Sequence, residues 1–326
     1  MTTPQRPIGS GFGYRSTAAE VLEGIDLGGR IAIVTGGYSG LGLETVRALS
    51  GAGAEVLVPA RRPEHAAEVL EGIDRVRVDA LDLGSLDSVR AFAGRVLDDG
   101  RSVDILINNA AIMACPETRV GVGGDVFEAQ FATNHLGHFA LANLLWPLLA
   151  DGGGARVVAL SSTGHKRSGI HWDDLQFERG YEKWEAYGQA KTANSLFAVK
   201  LDALGQAAGV RAFAAHPGGI MTPLQRHLSR DEMMAAGWMD EDGHTDDRFK
   251  TPEQGASTST WAATSPQLEG MGGVYCENCD IAKPTEPDSP TARIEGVDAH
   301  AVDPGDAERL WAVSAELTGV DAFAAA

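Results

Sequence analysis

Cysteine is scarce in this chain: of 326 residues only Cys115, Cys276 and Cys279 carry a thiol. Three thiols make no disulfide framework. Cys276 and Cys279 have the spacing of a metal-ligand pair, but no second pair completes a tetrahedral zinc site, so no metal is expected. A labile disulfide and two ordinary thiols near a strand end remain, and the ordinary thiols are the plainer reading. Basic residues are also few. Lys and Arg number 27 against 45 Asp and Glu, a formal net charge of −18. That balance argues against nucleic acid and anionic membrane surfaces as partners. Long apolar runs are missing too. The nearest, residues 139–150, is amphipathic and short of the ~20 residues a membrane span needs. Residues 1–14 are polar and glycine-rich, without the apolar centre of a signal peptide. A soluble, reducing, cytoplasmic setting is the expectation.

Glycine is abundant instead, 40 of 326 residues against a usual share of ~7%. Tight turns between strands and helices would use that excess. Apolar runs alternate with helical patterns along most of the length, the signature of βαβ units. Strands are expected over 30–35, 55–59, 75–78, 103–108, 156–161 and 211–215, with a seventh over 273–276. Helices are expected over 41–50, 64–71, 85–97, 127–149 (one long helix) and 184–204. Right-handed crossovers then give an α/β fold, a doubly wound parallel sheet of about seven strands with helices on both faces. Residues 1–28 form an N-terminal extension with a short helix over 16–25, capped by Ser16. The catalytic and dinucleotide-binding body spans 29–280, and residues 281–326 extend it, closing on a helix over 306–317. The whole reads as one domain.

Two local patterns carry chemistry. Gly36, Ser39, Gly40, Leu41 and Gly42 form a turn between the first strand and its helix. Backbone N–H groups at such a turn cradle a pyrophosphate, helped by the helix dipole. Gly36 permits the turn, Gly40 lets backbone approach the phosphates, and Gly42 lets the helix pack closely. Farther on, Tyr187 precedes Lys191 by four residues, which puts both on one helix face. A neighbouring ammonium favours the phenolate and pulls a tyrosine pKa below its reference of ~10. Such a tyrosine exchanges protons as a carbonyl–alcohol interconversion requires. Of the five tyrosines, only Tyr187 has a lysine four positions later.

The turn's spacing, Thr35-Gly36-three-Gly40-one-Gly42, resembles the short-chain dehydrogenase/reductase family. Leu81-Asp82-Leu83 resembles its adenine-contacting segment. Asn108-Asn109-Ala110-Ala111 resembles its Asn-Asn-Ala-Gly, with Ala111 in place of glycine. Asn134 lies in Asn134-His135-Leu136-Gly137-His138-Phe139, and Ser161-Ser162 closes the fifth strand. The long insert between Ser162 and Tyr187 resembles the branch of retinol dehydrogenases and WW-domain-containing oxidoreductases, here without a WW domain or membrane anchor. His135 and His138 are three apart and lack a third ligand, so they read as packing residues.

The resemblance implies a catalytic tetrad of Asn134, Ser162, Tyr187 and Lys191. Tyr187 would give or take the proton, and Lys191 would lower its pKa and hold the nicotinamide ribose. Ser162, or its neighbour Ser161, would hydrogen-bond the substrate oxygen, and Asn134 would anchor a water leading from Lys191 to solvent. Gly36, Ser39, Gly40, Leu41, Gly42, Asp82, Leu83, Asn109, Ala110 and Ala111 would hold the dinucleotide. Pro217, Gly218, Ile220 and Thr222 resemble the Pro-Gly turn beside the nicotinamide, Thr222 being a carboxamide or phosphate contact. NAD-preferring relatives place an acid at the end of the second strand. Here Ala60 stands there, followed by Arg61 and Arg62, whose guanidiniums suit a 2′-phosphate, so NADP is expected. Residues 220–250 would form a lid offering Met221, Leu224, Leu228, Met233, Met234, Trp238 and Met239 to a hydrophobic ketone, aldehyde or alcohol. The expected activity is an NADP-dependent alcohol dehydrogenase or carbonyl reductase, running towards reduction where NADPH is kept reduced. A catalytically silent dinucleotide sensor or scaffold is the alternative. Family members pair through the helices carrying Asn134 and Tyr187, so a homodimer or homotetramer is one outcome. The added termini covering that surface is the other.

Overall fold

The strands Ile31–Val34 (β1), Ile105–Asn108 (β4) and Arg156–Leu160 (β7) are almost wholly buried. Near-continuous apolar runs of this kind fit only a parallel sheet covered on both faces. The computed structural model, which describes residues 3–122, 125–151 and 153–324, shows that sheet. Its other strands are Glu55–Ala60 (β2), Val76–Ala80 (β3), Arg211–His216 (β8), Val274–Glu277 (β9) and Asp280–Ile281 (β10). The order is β10-β9-β8-β7-β4-β1-β2-β3. Every pairing is parallel except β10 on β9. The eighth strand and the separate hairpin of Arg119–Val122 (β5) with Asp125–Glu128 (β6) go beyond the seven expected.

Alternation along the strands splits the core in two. Ile33, Leu57, Leu106 and Val157 face one layer, packed with Phe92, Phe139, Phe197 and Trp311. Ala32, Val34, Val56, Val58, Ile105, Ile107 and Val158 face the other, with Leu49 and Trp261. The first layer holds the helices Leu86–Asp99 (α1), Gly137–Leu144 (α2), Lys183–Gly205 (α3) and Pro304–Thr318 (α4). Gly40–Gly51 and Ser257–Thr264 lie on the second.

The single helix expected over 127–149 is corrected. Phe127 pairs with Val120 in the hairpin. Ala129–Phe131 then starts a helix that widens into a π-turn over Ala132–Leu136, continues as α2, and restarts at Trp146–Asp151. Pro147 near the start of the last piece has no N–H to continue the preceding ladder. The first helix is shorter than expected, Ala18–Val21, and its cap is Thr17 in a reciprocal box with Glu20. Ser16 instead accepts a hydrogen bond from the Gly13 N–H.

Both extensions belong to the same domain. The Gln5 side chain joins the backbone of Tyr275 and Ala282. The Asp280 carboxylate accepts from the N–H groups of Ile8, Gly9 and Ser10. The N-terminal segment so covers the β9–β10 edge, which would otherwise offer free pairing groups. At the other end α4 lies on α3 and α2. Trp311 stacks on Phe197 and meets Phe139 edge-on. The three thiols are free and buried, and Cys279 Sγ lies 3.1 Å from Ser257 Oγ.

Candidate active site

Ligands of open parallel sheets bind beyond the carboxyl ends of the strands, where the order reverses. In this sheet that point lies between β1 and β4. A cleft of about 1290 Å³ opens there, lined by residues from the ends of β1, β2, β4, β7 and β8. It brings together every expected catalytic and cofactor-binding residue except Asn134 and Gly42, and of the expected lid residues Leu224 and Trp238.

The glycine turn forms one side. Gly36 has φ +65°, and a Cβ there would meet Ala110 Cα at 3.1 Å, so only glycine fits. A side chain at Gly42 would run into the Gly36 carbonyl oxygen and the Asn109 amide, which is the close packing foreseen. Asn109 Nδ2 donates to the Thr35 carbonyl at 2.7 Å, and the N–H groups of Asn109 and Ala110 donate to Thr35 Oγ1. The Asn-Asn-Ala segment is thus stitched to the turn. Leu83 touches the π-turn helix through its carbonyl, against Gly137, and Asp82 caps Gly84 N–H. Thr222 packs against Gly40 and caps the short turn Pro223–His227. Gly218, at φ +97°, lies over the Lys250 side chain.

Arg61 and Arg62 follow β2 and line the cleft. Among the described residues neither has a hydrogen-bond or carboxylate partner, although most arginines of this acidic chain do. That donor set, with the glycine turn, fits a phosphorylated dinucleotide.

At the other wall, Ser162 Oγ accepts from the Gly164 N–H at 3.0 Å and hydrogen-bonds the Tyr187 phenol. Ser161 points the other way, to the Lys191 carbonyl and Ser195, which leaves Ser162 as the serine facing the tyrosine. Lys191 Nζ donates to the Leu160 carbonyl at 2.9 Å and lies 5.5 Å from the Tyr187 ring centre. The depressed tyrosine pKa expected from the sequence is not what burial gives. Tyr187 is pushed up to about 12, with the Ser162 hydroxyl pulling the other way. Burial also pushes Lys191 down to about 7. A buried environment disfavours both charged forms.

Asn134 sits inside the π-turn, a bulge frequent at functional sites. Its amide is paired with the Ile112 backbone, accepting from the N–H and donating to the carbonyl, each at 2.9 Å. It therefore fixes the loop that carries Met113. The Asn134 main-chain carbonyl lies 3.0 Å from His138 Nδ1. His138 Nε2 meets Thr35 Oγ1 at 2.9 Å, so this histidine ties the glycine turn to the Asn134 bulge. His135 meets Ser314 on α4 instead. The two imidazoles have separate hydroxyl partners.

Apolar side chains close the space beside Tyr187. Met113, Ala114 and Leu228 pack on it, with Trp184, Leu224, Met233 and Trp238 around them. Trp184 meets both Tyr187 and Trp238 edge-on. Sequence reading missed Met113 and Trp184; being three before Tyr187 on the same helix was the available signal for Trp184. Met221, Met234 and Met239 stand outside this cluster, and Met239 faces a small surface hollow with His244.

The short chain dehydrogenase family model matches residues 30–233. The chain belongs to that family. It is similar to the "Probable oxidoreductase" of Streptomyces lividans, 44% identical over 300 residues, 90% of this chain and 98% of the relative. Retinol dehydrogenase 12 of Mus musculus is 36% identical over 302 residues, 91% of this chain and 88% of that one. A solved structure of an uncharacterized protein from Mycobacterium paratuberculosis superposes with a TM-score of 0.71 at 32% identity, covering 94% of this chain and 98% of its own. The chain is an oxidoreductase of the short-chain dehydrogenase type, a family that binds NAD(P) and acts on small substrates. Among the described residues no helix is long and apolar enough to cross a membrane.

Proposed function

We propose that this oxidoreductase uses NADP to interconvert an apolar ketone or aldehyde and its alcohol, with Tyr187 exchanging the proton. The observation that carries the reading is the placing of Tyr187. Its hydroxyl, bonded to Ser162, lines the same cleft as the glycine turn and is ringed by Met113, Leu224, Leu228 and Trp238. Residues 220–250 act as the lid that supplies the last three. Methionine and aromatic walls suit apolar substrates of irregular shape, and retinol, named by one relative, is an apolar alcohol.

In reduction, a nicotinamide held in this cleft would supply the hydride, leaving an alkoxide on the substrate. Tyr187 donates a hydrogen bond to the carbonyl oxygen and passes its proton as the negative charge develops. An alkoxide is a stronger base than a phenolate, so even a tyrosine at about 12 gives up its proton downhill. Ser162 donates to the same oxygen and stabilises its charge. Lys191, taking a proton from solvent as the phenolate forms, would balance that charge and would hold the ribose. Asn134 holds the floor of the pocket through Ile112. Gly36, Ser39, Gly40, Leu41 and Gly42 would cradle the pyrophosphate, and Asp82, Leu83, Asn109, Ala110 and Ala111 would line the adenine side. Pro217, Gly218, Ile220 and Thr222 would flank the nicotinamide. Arg61 and Arg62 would take a 2′-phosphate, since Ala60 offers no carboxylate to a 2′-hydroxyl.

The test follows NADPH absorbance with a panel of apolar ketones and aldehydes, with NADH and a Tyr187→Phe variant alongside. Turnover should need NADPH and vanish in the variant while NADPH binding persists. Tight NADPH binding with no turnover on any carbonyl would instead favour a silent dinucleotide sensor.

A further inference from the structure

Among the described residues, Arg61, Arg62 and Arg226 line the cleft without a carboxylate partner, although Asp82 lines the same cleft. Besides Arg61 and Arg62, the third comes from the lid. Arg226 stands on the turn Pro223–His227, four residues past Thr222, and lines the same cleft. Its Nη1 donates to the Pro223 carbonyl at 3.0 Å, which leaves Nη2 and Nε for another acceptor. No carboxylate pairs with it among the described residues. Arg61 lies close enough that its charge, after burial, holds the Arg226 guanidinium below its ordinary value, and Tyr38 of the glycine turn is a further neighbour. With 45 acidic residues in the chain, leaving Arg226 unpaired beside Arg61 costs repulsion that an anion between them would reverse.

We infer that Arg226 is the third arm of a phosphate clasp, closing from the lid onto a phosphomonoester held by Arg61 and Arg62. This rests on the NADP reading above and adds a specificity-determining residue to it. It also gives the phosphate a second effect. The turn that carries Arg226 carries Leu224, and the chain continues directly into Leu228, both part of the apolar cluster around Tyr187. Thr222 anchors the start of that turn against Gly40. Drawing Arg226 towards the end of β2 therefore sets the apolar wall at the substrate end. Phosphate capture and substrate binding become coupled, each favouring the other by the same factor.

The test uses the full chain and two probes without a nicotinamide, adenosine 2′,5′-bisphosphate and AMP. Calorimetry gives their affinities for the wild type, Arg226→Gln and Arg62→Gln. Hydrogen exchange reads the protection of residues 222–238. The wild type should prefer the bisphosphate, and Arg226→Gln should lose about tenfold on it and nothing on AMP, the usual weight of one hydrogen bond to a charged group. The bisphosphate should slow exchange across 222–238 in the wild type and not in Arg226→Gln. A variant that keeps both the full preference and the protection, while Arg62→Gln loses the preference, overturns the clasp and spares the NADP reading. Equal affinity of the wild type for both probes, or binding of neither, removes the NADP reading and the clasp together.

Discussion

Acid should unfold this protein early, and the reason is four buried histidines. His135 and His216 are held at about 3, His138 and His165 at about 4, chiefly by burial. An unfolded histidine titrates near 6.5. Between pH 6 and pH 5 the unfolded chain therefore takes up protons at four positions where the native chain takes none. The folded values lie below the unfolded one, so this stability is fully present above pH 6.5 and is lost as pH falls towards 4. Each unmatched proton is worth about 1.4 kcal/mol per pH unit. Four give a slope of roughly 5 kcal/mol per unit. Glu128 and Glu277 oppose it, because burial raises both and the native state protonates them first. If both were fully protonated the slope would still be roughly 3 kcal/mol per unit. Against a whole-domain stability of about 5–15 kcal/mol, one to two pH units suffice to approach unfolding.

Urea melts read by tryptophan fluorescence and circular dichroism, at steps from pH 8 to pH 5, measure that slope directly. His135→Gln keeps a partner for Ser314 and removes one proton from the count, so the slope should drop by about 1.4 kcal/mol per unit. A wild-type slope of one proton or less over this window would refute the argument. So would a folded His135→Gln protein whose slope matched the wild type.

Three further outcomes are expected. Replacing Arg61 and Arg62 by Ala together with Ala60→Asp should shift preference from NADPH towards NADH, with about 1.5–3 kcal/mol lost on NADPH per charged contact removed; unchanged NADPH affinity takes the pair out of the cofactor site. Trp238→Ala should raise KM for apolar carbonyls several-fold while NADPH affinity holds, and an equal KM would remove the tryptophan from the substrate wall. Because α4 covers the faces of α2 and α3 through Trp311, light scattering should find a monomer, and Trp311→Ala should cost about 3–5 kcal/mol in urea melts; a dimer would show that another surface pairs.

How much of this could be read from the residues depended on the range of each interaction. The glycine turn, the Asn109 segment and the strand ends are local, and Gly36 and Gly42 proved as tightly enclosed as their spacing implied. Strands β1, β4, β7 and β8 were legible because burial on both faces leaves a continuous apolar run. The helix over 127–149 was misread because its apolar pattern runs unbroken through a hairpin strand, a π-turn and a restart at Pro147. Periodicity alone does not register a strand whose partner is the β5 segment, or a π-turn that ends where Gly137 comes close to Leu83. The covering of α2 and α3 by α4 joins residues more than a hundred positions apart, and nothing local announces it.

The tyrosine shows the same limit in its chemistry. Four-residue spacing correctly placed Lys191 on the face of Tyr187, and the conclusion drawn was a lowered phenol pKa. That conclusion needs the charge to act through a medium that leaves both groups solvated enough to ionise. Here both are buried, and the cost of charging each in isolation outweighs their mutual attraction, so the phenol rises and the amine falls. The two shifts leave a phenol that is neutral at rest beside an amine only partly protonated near neutral pH; on the proposed mechanism a proton would leave the phenol for an alkoxide and one from solvent would reach the amine. A lysine held at about 7 is poised to accept that second proton near neutral pH, which an ordinary ammonium, already charged, is not. On the proposed mechanism the pair would move protons in step with the substrate, a role set by burial, which no spacing in the sequence encodes.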